Sequence, residues 1–101
     1  MPKLYDYFGL RVFFYSNDHE PVHVHGFYQG CESRAELRIV NGVVTGIQIL
    51  PVAGMKPLAG NARSNFELLV AQRADDIVRK WIEFFVHRRP VSAETITRKL
   101  K

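Results

Sequence analysis

The segment His19-Glu20-Pro21-Val22-His23-Val24-His25 holds three of the four histidines in the chain. Val22, His23, Val24 and His25 alternate apolar and polar, the period of a half-buried strand. Successive side chains of a strand point to opposite faces. With Val22 and Val24 turned to a core, His23 and His25 stand together on the other face. Two imidazoles so placed can share a metal ion, each giving one neutral ring nitrogen. His19 precedes Pro21, in a segment that the proline biases to extended or turn geometry. It can fold back as a third ligand, with Asp18 or Glu20 as an oxygen donor. The expected ion is a divalent metal such as zinc. Without a metal, the same cluster offers a general acid or base, because an imidazole titrates near neutrality. A third reading needs no chemistry: an exposed sheet face whose histidines meet only solvent or a neighbouring carboxylate.

The next stretch supplies the partners. Ala35, Leu37 and Ile39 alternate with Arg34, Glu36 and Arg38, so residues 33–39 read as a strand with one apolar face. A two-residue turn at Gly30-Cys31 would pair His25 with Glu36 and His23 with Arg38, all on the outward face. His23, His25 and Glu36 are then the candidate catalytic groups, with Glu36 fixing the tautomer of His25. Arg34, Arg38 and Tyr15 are the candidate substrate-binding residues, the guanidinium groups being suited to a phosphate. Arg11, Phe13 and Tyr15 extend this face into a basic, aromatic platform of the kind that binds single-stranded nucleic acid. Charges of alternating sign along a strand are also what an ordinary solvated face looks like.

Residues 10–15 are rich in aromatic and β-branched side chains and read as a first strand, ended by the polar cluster Ser16-Asn17-Asp18. Residues 22–28 form the second, 33–39 the third and 43–50 the fourth. A three-residue loop, Val40-Asn41-Gly42 with Gly42 left-handed, would turn Val43, Thr45 and Ile47 to the core and leave Gln48 outside. Residues 51–60 read as a loop. Ser64 with Glu67 resembles a capping box, and the apolar residues Phe66, Leu69, Val70, Ala74, Ile77, Trp81, Phe84 and Phe85 recur at helical spacing. This predicts one helix over residues 65–87, roughly 35 Å long, stopped near Pro90. The tail from Ser92 reads as a short helix with Ile96 and Leu100 on one side, and residues 1–7 as an ordered lead-in. The expected fold is therefore α+β. A four-stranded antiparallel meander, in the order 1-2-3-4, packs against one long C-terminal helix, with a short C-terminal segment beyond it.

The chain of 101 residues is read as a single domain over residues 1–101. Hydrophobic residues make up 47% and charged residues 24%, enough to build one core. A net charge of +4, from 14 Lys and Arg against 10 Asp and Glu, is compatible with a nucleic-acid partner without requiring one. Cys31 is the only cysteine, so no internal disulfide forms, and a reducing cytosol is the expected compartment. No apolar run approaches about 18 residues, which argues against a membrane partner. Lys3 is followed by Tyr5, Asp6 and Tyr7 in place of the apolar segment of a signal peptide.

Phe13-Phe14-Tyr15-Ser16-Asn17, then Glu20-Pro21-Val22-His23-Val24-His25, then the charged alternation over 36–39, then a helix around Lys80-Trp81, form a recognisable series. Together they resemble the small prokaryotic proteins grouped as domain-of-unknown-function family 4160. The resemblance runs over residues 3–100. It implies no particular activity. It does imply compact stand-alone genes, a style shared with toxin–antitoxin and mobile-element modules. The residues and the resemblance together lead to a histidine-cluster protein that binds a metal and acts on nucleic acid. The alternative is a non-enzymatic module that binds nucleic acid or a neighbouring small protein and forms a homodimer through its sheet, where Phe13, Tyr15 and Phe27 lie on the open face. Whether the chain is an enzyme stays open at this level.

Overall fold

A computed structural model describes residues 2–100. Five strands follow one another as antiparallel neighbours: β1 (Lys3–Tyr7), β2 (Leu10–Phe13), β3 (His23–Tyr28), β4 (Cys31–Val40) and β5 (Val43–Pro51). Near the C-terminus β6 (Glu94–Ile96) adds to β1 in parallel, giving the order β5-β4-β3-β2-β1-β6. The sheet is therefore mixed and six-stranded, which corrects the expected four-stranded antiparallel meander. Both extra strands come from segments whose sequence signal is weak. The lead-in becomes β1 because the Phe8-Gly9 turn, with φ of 49° and 89°, returns the chain as a tight hairpin. A bulky residue at positive φ is disfavoured, so Phe8 does not announce such a turn. The tail becomes a strand of only three residues, too short to show a period. It is held by pairing with β1, by burial of Ile96 and by the Leu100 amide, which donates to the Tyr7 hydroxyl oxygen at 3.0 Å.

The β3–β4 turn is Gln29-Gly30, with φ of 48° and 82°, one residue before the expected Gly30-Cys31. A hairpin of this kind needs positive φ at both central residues, and glycine serves best at the second. Moving the turn by one residue moves the register by two. Every side chain keeps its face while its partner changes: His23 pairs with Glu36 and His25 with Arg34. The β4–β5 turn is also a two-residue loop, Asn41-Gly42, in place of the expected three-residue one. An irregularity after Arg38, where Thr45 is left without an opposite residue, then returns the later residues of β5 to the expected faces, though not to the expected partners. Ile47 reaches the core and Gln48 is exposed, as expected, and Ile49 packs there too; Val43 and Thr45, expected in the core, are exposed, and Val44 packs against it instead.

The inner face of the sheet, with Leu10, Val12, Val24, Ala35 and Leu37, is covered by Phe66, Leu69, Val70, Ile77 and Trp81. These come from two short helices, α1 (Gly60–Gln72) and α2 (Ala74–Trp81), followed by a single π-type turn over Ile82–Val86. The single long helix expected from the apolar period is broken at Arg73, which has φ −108° and ψ 15°. A straight rod of roughly 35 Å would overrun a body whose longest extent is 33 Å, and the bend keeps both stripes on the sheet. The expected capping box does not form either. The helix starts four residues before Ser64, and Glu67 instead pairs with Arg63 at 2.8 Å. One strand residue is shaped by this packing. A Cβ at Gly26 would lie 2.6 Å from Cδ1 of Phe66, so the ring sits directly on the β3 backbone.

Candidate metal centre

The outer face of the sheet carries Phe13, His23, His25, Glu32, Arg34 and Glu36, the residues that alternate with the core set. That face is not open around the histidines. His23 and His25 keep only 6% and 5% of their surface, because the link between β2 and β3 folds back over them. Within that link Tyr15 and Asp18 close a turn. The Asp18 amide donates to the Tyr15 carbonyl at 3.1 Å, and the Tyr15 amide donates to Oδ2 of Asp18 at 2.9 Å. This local exchange is what an Asp at the end of a Ser-Asn-Asp turn does. It aims the carboxylate at the imidazoles.

Oδ1 of Asp18 lies 3.3 Å from Nε2 of His23, and Oδ2 lies 3.4 Å from Nε2 of His25. One ligand atom each from Asp18, His23 and His25 falls within 4.8 Å of the others. Nδ1 of His23 is 2.8 Å from the Pro21 carbonyl, which only accepts, so this nitrogen carries the proton. Nε2 of His23 then presents a lone pair to Asp18. Nδ1 of His25 lies 3.2 Å from Oε2 of Glu32, and a proton there leaves its Nε2 lone pair facing Asp18 as well. Neither nitrogen of His25 makes a hydrogen bond of proper geometry, although both are buried. Burial is the main reason that the His25 pKa falls below the ordinary 6.5. His23 pushes the same way, against the opposing pull of Asp18 and Glu32.

The cluster is braced from behind. The Tyr15 hydroxyl donates to Glu32, at 2.9 Å from Oε2 and 3.1 Å from Oε1. Burial, and then this hydrogen bond, raise the pKa of that hydroxyl. Phe13 stacks on the His25 ring at 5.7 Å with an 18° tilt, and Tyr15 meets the same ring edge-on at 4.5 Å. Trp81 covers His23 at 5.4 Å. On the solvent side lies a depression of about 330 Å³, bordered by Asp18, His19, His23, Arg34 and Glu36. A second one, of about 510 Å³, shares Pro21 and Glu36 with it and continues to Arg38.

The sequence-predicted residues thus fall into two groups. His23 and His25 come together, with Asp18 as the oxygen donor. His19 is exposed at the rim of the depression, outside the triad. Glu36 lies opposite His23 and pairs with Arg34 at 3.1 Å, so the carboxylate beside His25 is Glu32. Tyr15 serves Glu32 from within, while Arg34 and Arg38 line the groove. Phe13 is buried against His25, which removes it from any open aromatic platform. Glu32 was missed because its position depends on the turn. With Gln29-Gly30 at the corner, Phe27 opposes Glu32, which then lies diagonal to His25 on one face.

Among the described residues, no helix is long and apolar enough to cross a membrane. No curated protein and no solved structure matches the chain. A family model does match, over residues 9–82, about three-quarters of the length and including every residue of the cluster. The chain belongs to the domain-of-unknown-function family DUF4160.

Proposed function

We propose that the protein is a divalent-metal protein whose ion is held by Asp18, His23 and His25, with Glu32 and Tyr15 orienting His25. The observation that carries this reading is the meeting of two imidazole lone pairs and one carboxylate in a buried space. Acceptors turned toward one another repel unless a cation lies between them. A histidine backed by a carboxylate is how metal-binding imidazoles are commonly held. Two imidazoles and one carboxylate suit zinc, and also ferrous iron or manganese, and leave coordination positions free. The free side would face the groove that runs past Arg34 to Arg38. An ion held there supplies a Lewis acid and an activated water.

The substrate reading that best fits the groove is a phosphodiester of a nucleic acid, whether the protein works alone or in a toxin–antitoxin pair. The two guanidinium groups would hold the phosphate beside the ion. His23 and His25 would then act as ligands, leaving the proton transfers to groups at the rim, of which His19 and Glu36 border the same depression.

Untagged protein should retain about one equivalent of metal per chain by elemental analysis. Metal-free protein should melt higher when zinc, manganese or ferrous iron is added. Asp18→Asn and His23→Ala should lose both effects. A chain that takes up none of these ions, with an unmoved melting temperature, would end the metal reading. A metal-loaded protein that neither binds nor cleaves single-stranded RNA or DNA at low salt would end the nucleic-acid reading alone.

A further inference from the structure

The two edges of the sheet are not alike. β6 is three residues long, begins with Glu94 and is followed closely by Arg98 and Lys99. Short length and charge are the usual protections of an edge strand. β5, at the other edge, runs nine residues and pairs only with β4 among the described residues. No charged residue occurs between Arg38 and Lys56, so the whole edge and both its flanks are uncharged. The irregularity at Thr45 bends only the start of the strand. From Gly46 to Pro51 the register is regular, and among the described residues the outer row of backbone groups on this run has no partner strand.

We infer that β5 is a self-pairing edge, and that two copies of the chain join through antiparallel β5–β5′ contacts centred on Gln48. The occupant follows from the chemistry of the edge. A row of backbone donors and acceptors calls for another strand, and an uncharged row calls for an uncharged one. β5 is the one strand among the described elements without an ionisable side chain. A two-fold axis at Gln48 sets Ile47 opposite Ile49 of the second copy, on the helix-covered face. There both isoleucines already pack against the core, so the apolar layer continues across the join. The two Gln48 side chains meet on the other face, where each is exposed in the single chain and can hydrogen-bond to the other. The inference does not depend on the metal centre.

Sedimentation of the untagged protein at tens of micromolar should give a species of twice the 11.6 kDa chain mass. Gln48→Lys opposes two ammonium groups across the axis and should raise the dimer dissociation constant roughly tenfold or more. Gln48→Cys in a Cys31→Ser background should form an intermolecular disulfide when oxidised glutathione is added, because residues opposed across such a pair approach within disulfide reach. Thr45→Cys in the same background should not. A wild-type chain that stays monomeric at about 100 µM, well above a micromolar dissociation constant, would overturn the inference. So would a dimer that Gln48→Lys does not weaken or that Gln48→Cys does not cross-link, because such a dimer uses another surface.

Discussion

At the scale of single residues the cluster is a set of opposed preferences. His25 is aromatic enough to be stacked on by Phe13 and polar enough to need partners at both nitrogens. Glu32 faces one nitrogen and Asp18 the other, and only one of the two can receive a proton from a neutral ring. Glu32 is held by the Tyr15 hydroxyl, whereas Asp18 is held by a backbone amide and faces two imidazoles. The proton therefore belongs on the Glu32 side, which leaves the Nε2 lone pair on the Asp18 side for the proposed cation. Glu32→Gln keeps the size of the side chain and removes the charge that makes Nε2 of His25 the more basic end. Zinc affinity, measured by competition with a chelating dye, should fall about 10- to 100-fold. Glu36→Gln, which alters the carboxylate that pairs with Arg34, should leave it within about threefold, since no oxygen of Glu36 belongs to the triad. Equal losses in the two variants would mean that Glu32 has no orienting role.

At the scale of elements, the packing of α1 on β3 gives a sharp test of the fold. Alanine is a better strand residue than glycine by about 0.5–1 kcal/mol where there is room. At Gly26 there is none, because the added carbon would meet three atoms of the Phe66 ring at 2.6–3.0 Å. Both groups belong to well-anchored elements, so relief requires α1 to lift from the sheet. Gly26→Ala should cost about 1–3 kcal/mol in urea unfolding, and Phe66→Leu in the same chain should recover part of that. His25 and His23 precede this glycine by one and three residues on β3, so the variant should also weaken metal binding.

What could be read from the sequence divides along the same line. Face assignment in β3 and β4 survives the error of register, because alternation in 22–25 and 33–39 depends on no turn; in β5 it rested on the loop, and Val43 and Thr45 are exposed where the core was expected. Partner assignment does not, because it rests on which residue of Gln29-Gly30-Cys31 turns the corner. That is why His23 and His25 were legible and Glu32 was not. Asp18 could be named as an oxygen donor from its place before the histidines, but only the fold of the 14–22 link sets it against them in place of His19. β6 was illegible for a different reason: three residues carry no period, and their strand conformation is imposed by β1 from more than 80 positions away.

At the scale of the whole molecule, Asp76 shows how the two ends of the chain are tied. Tyr5 of β1 is fully buried, and its hydroxyl donates a hydrogen bond to the Asp76 carboxylate on α2. Lys80 reaches the same carboxylate at 3.2 Å and lies over the Tyr5 ring at 4.6 Å, and Arg79 donates to the other oxygen. Burial by itself raises the Asp76 pKa. The three donors outweigh it, and the carboxyl stays below its ordinary 3.8. Its proton is therefore held more weakly in the folded chain than in the unfolded one. The stability this confers is fully present above about pH 3.8 and is lost as the pH falls through the depressed folded value. Asp76→Asn keeps an oxygen for Tyr5 but leaves Lys80, mostly buried, without its counter-charge. It should cost about 2 kcal/mol near neutral pH, a figure that allows for the partial exposure of the carboxylate. The gap between wild type and variant, followed by urea unfolding from about pH 6 downward, should hold steady until the carboxyl begins to protonate and then close. A gap that stays unchanged down to the lowest pH at which the chain still folds would show that the variant is damaged by shape and not by charge. In that case the link between β1 and α2 would rest on the Tyr5 hydrogen bond and ring packing alone.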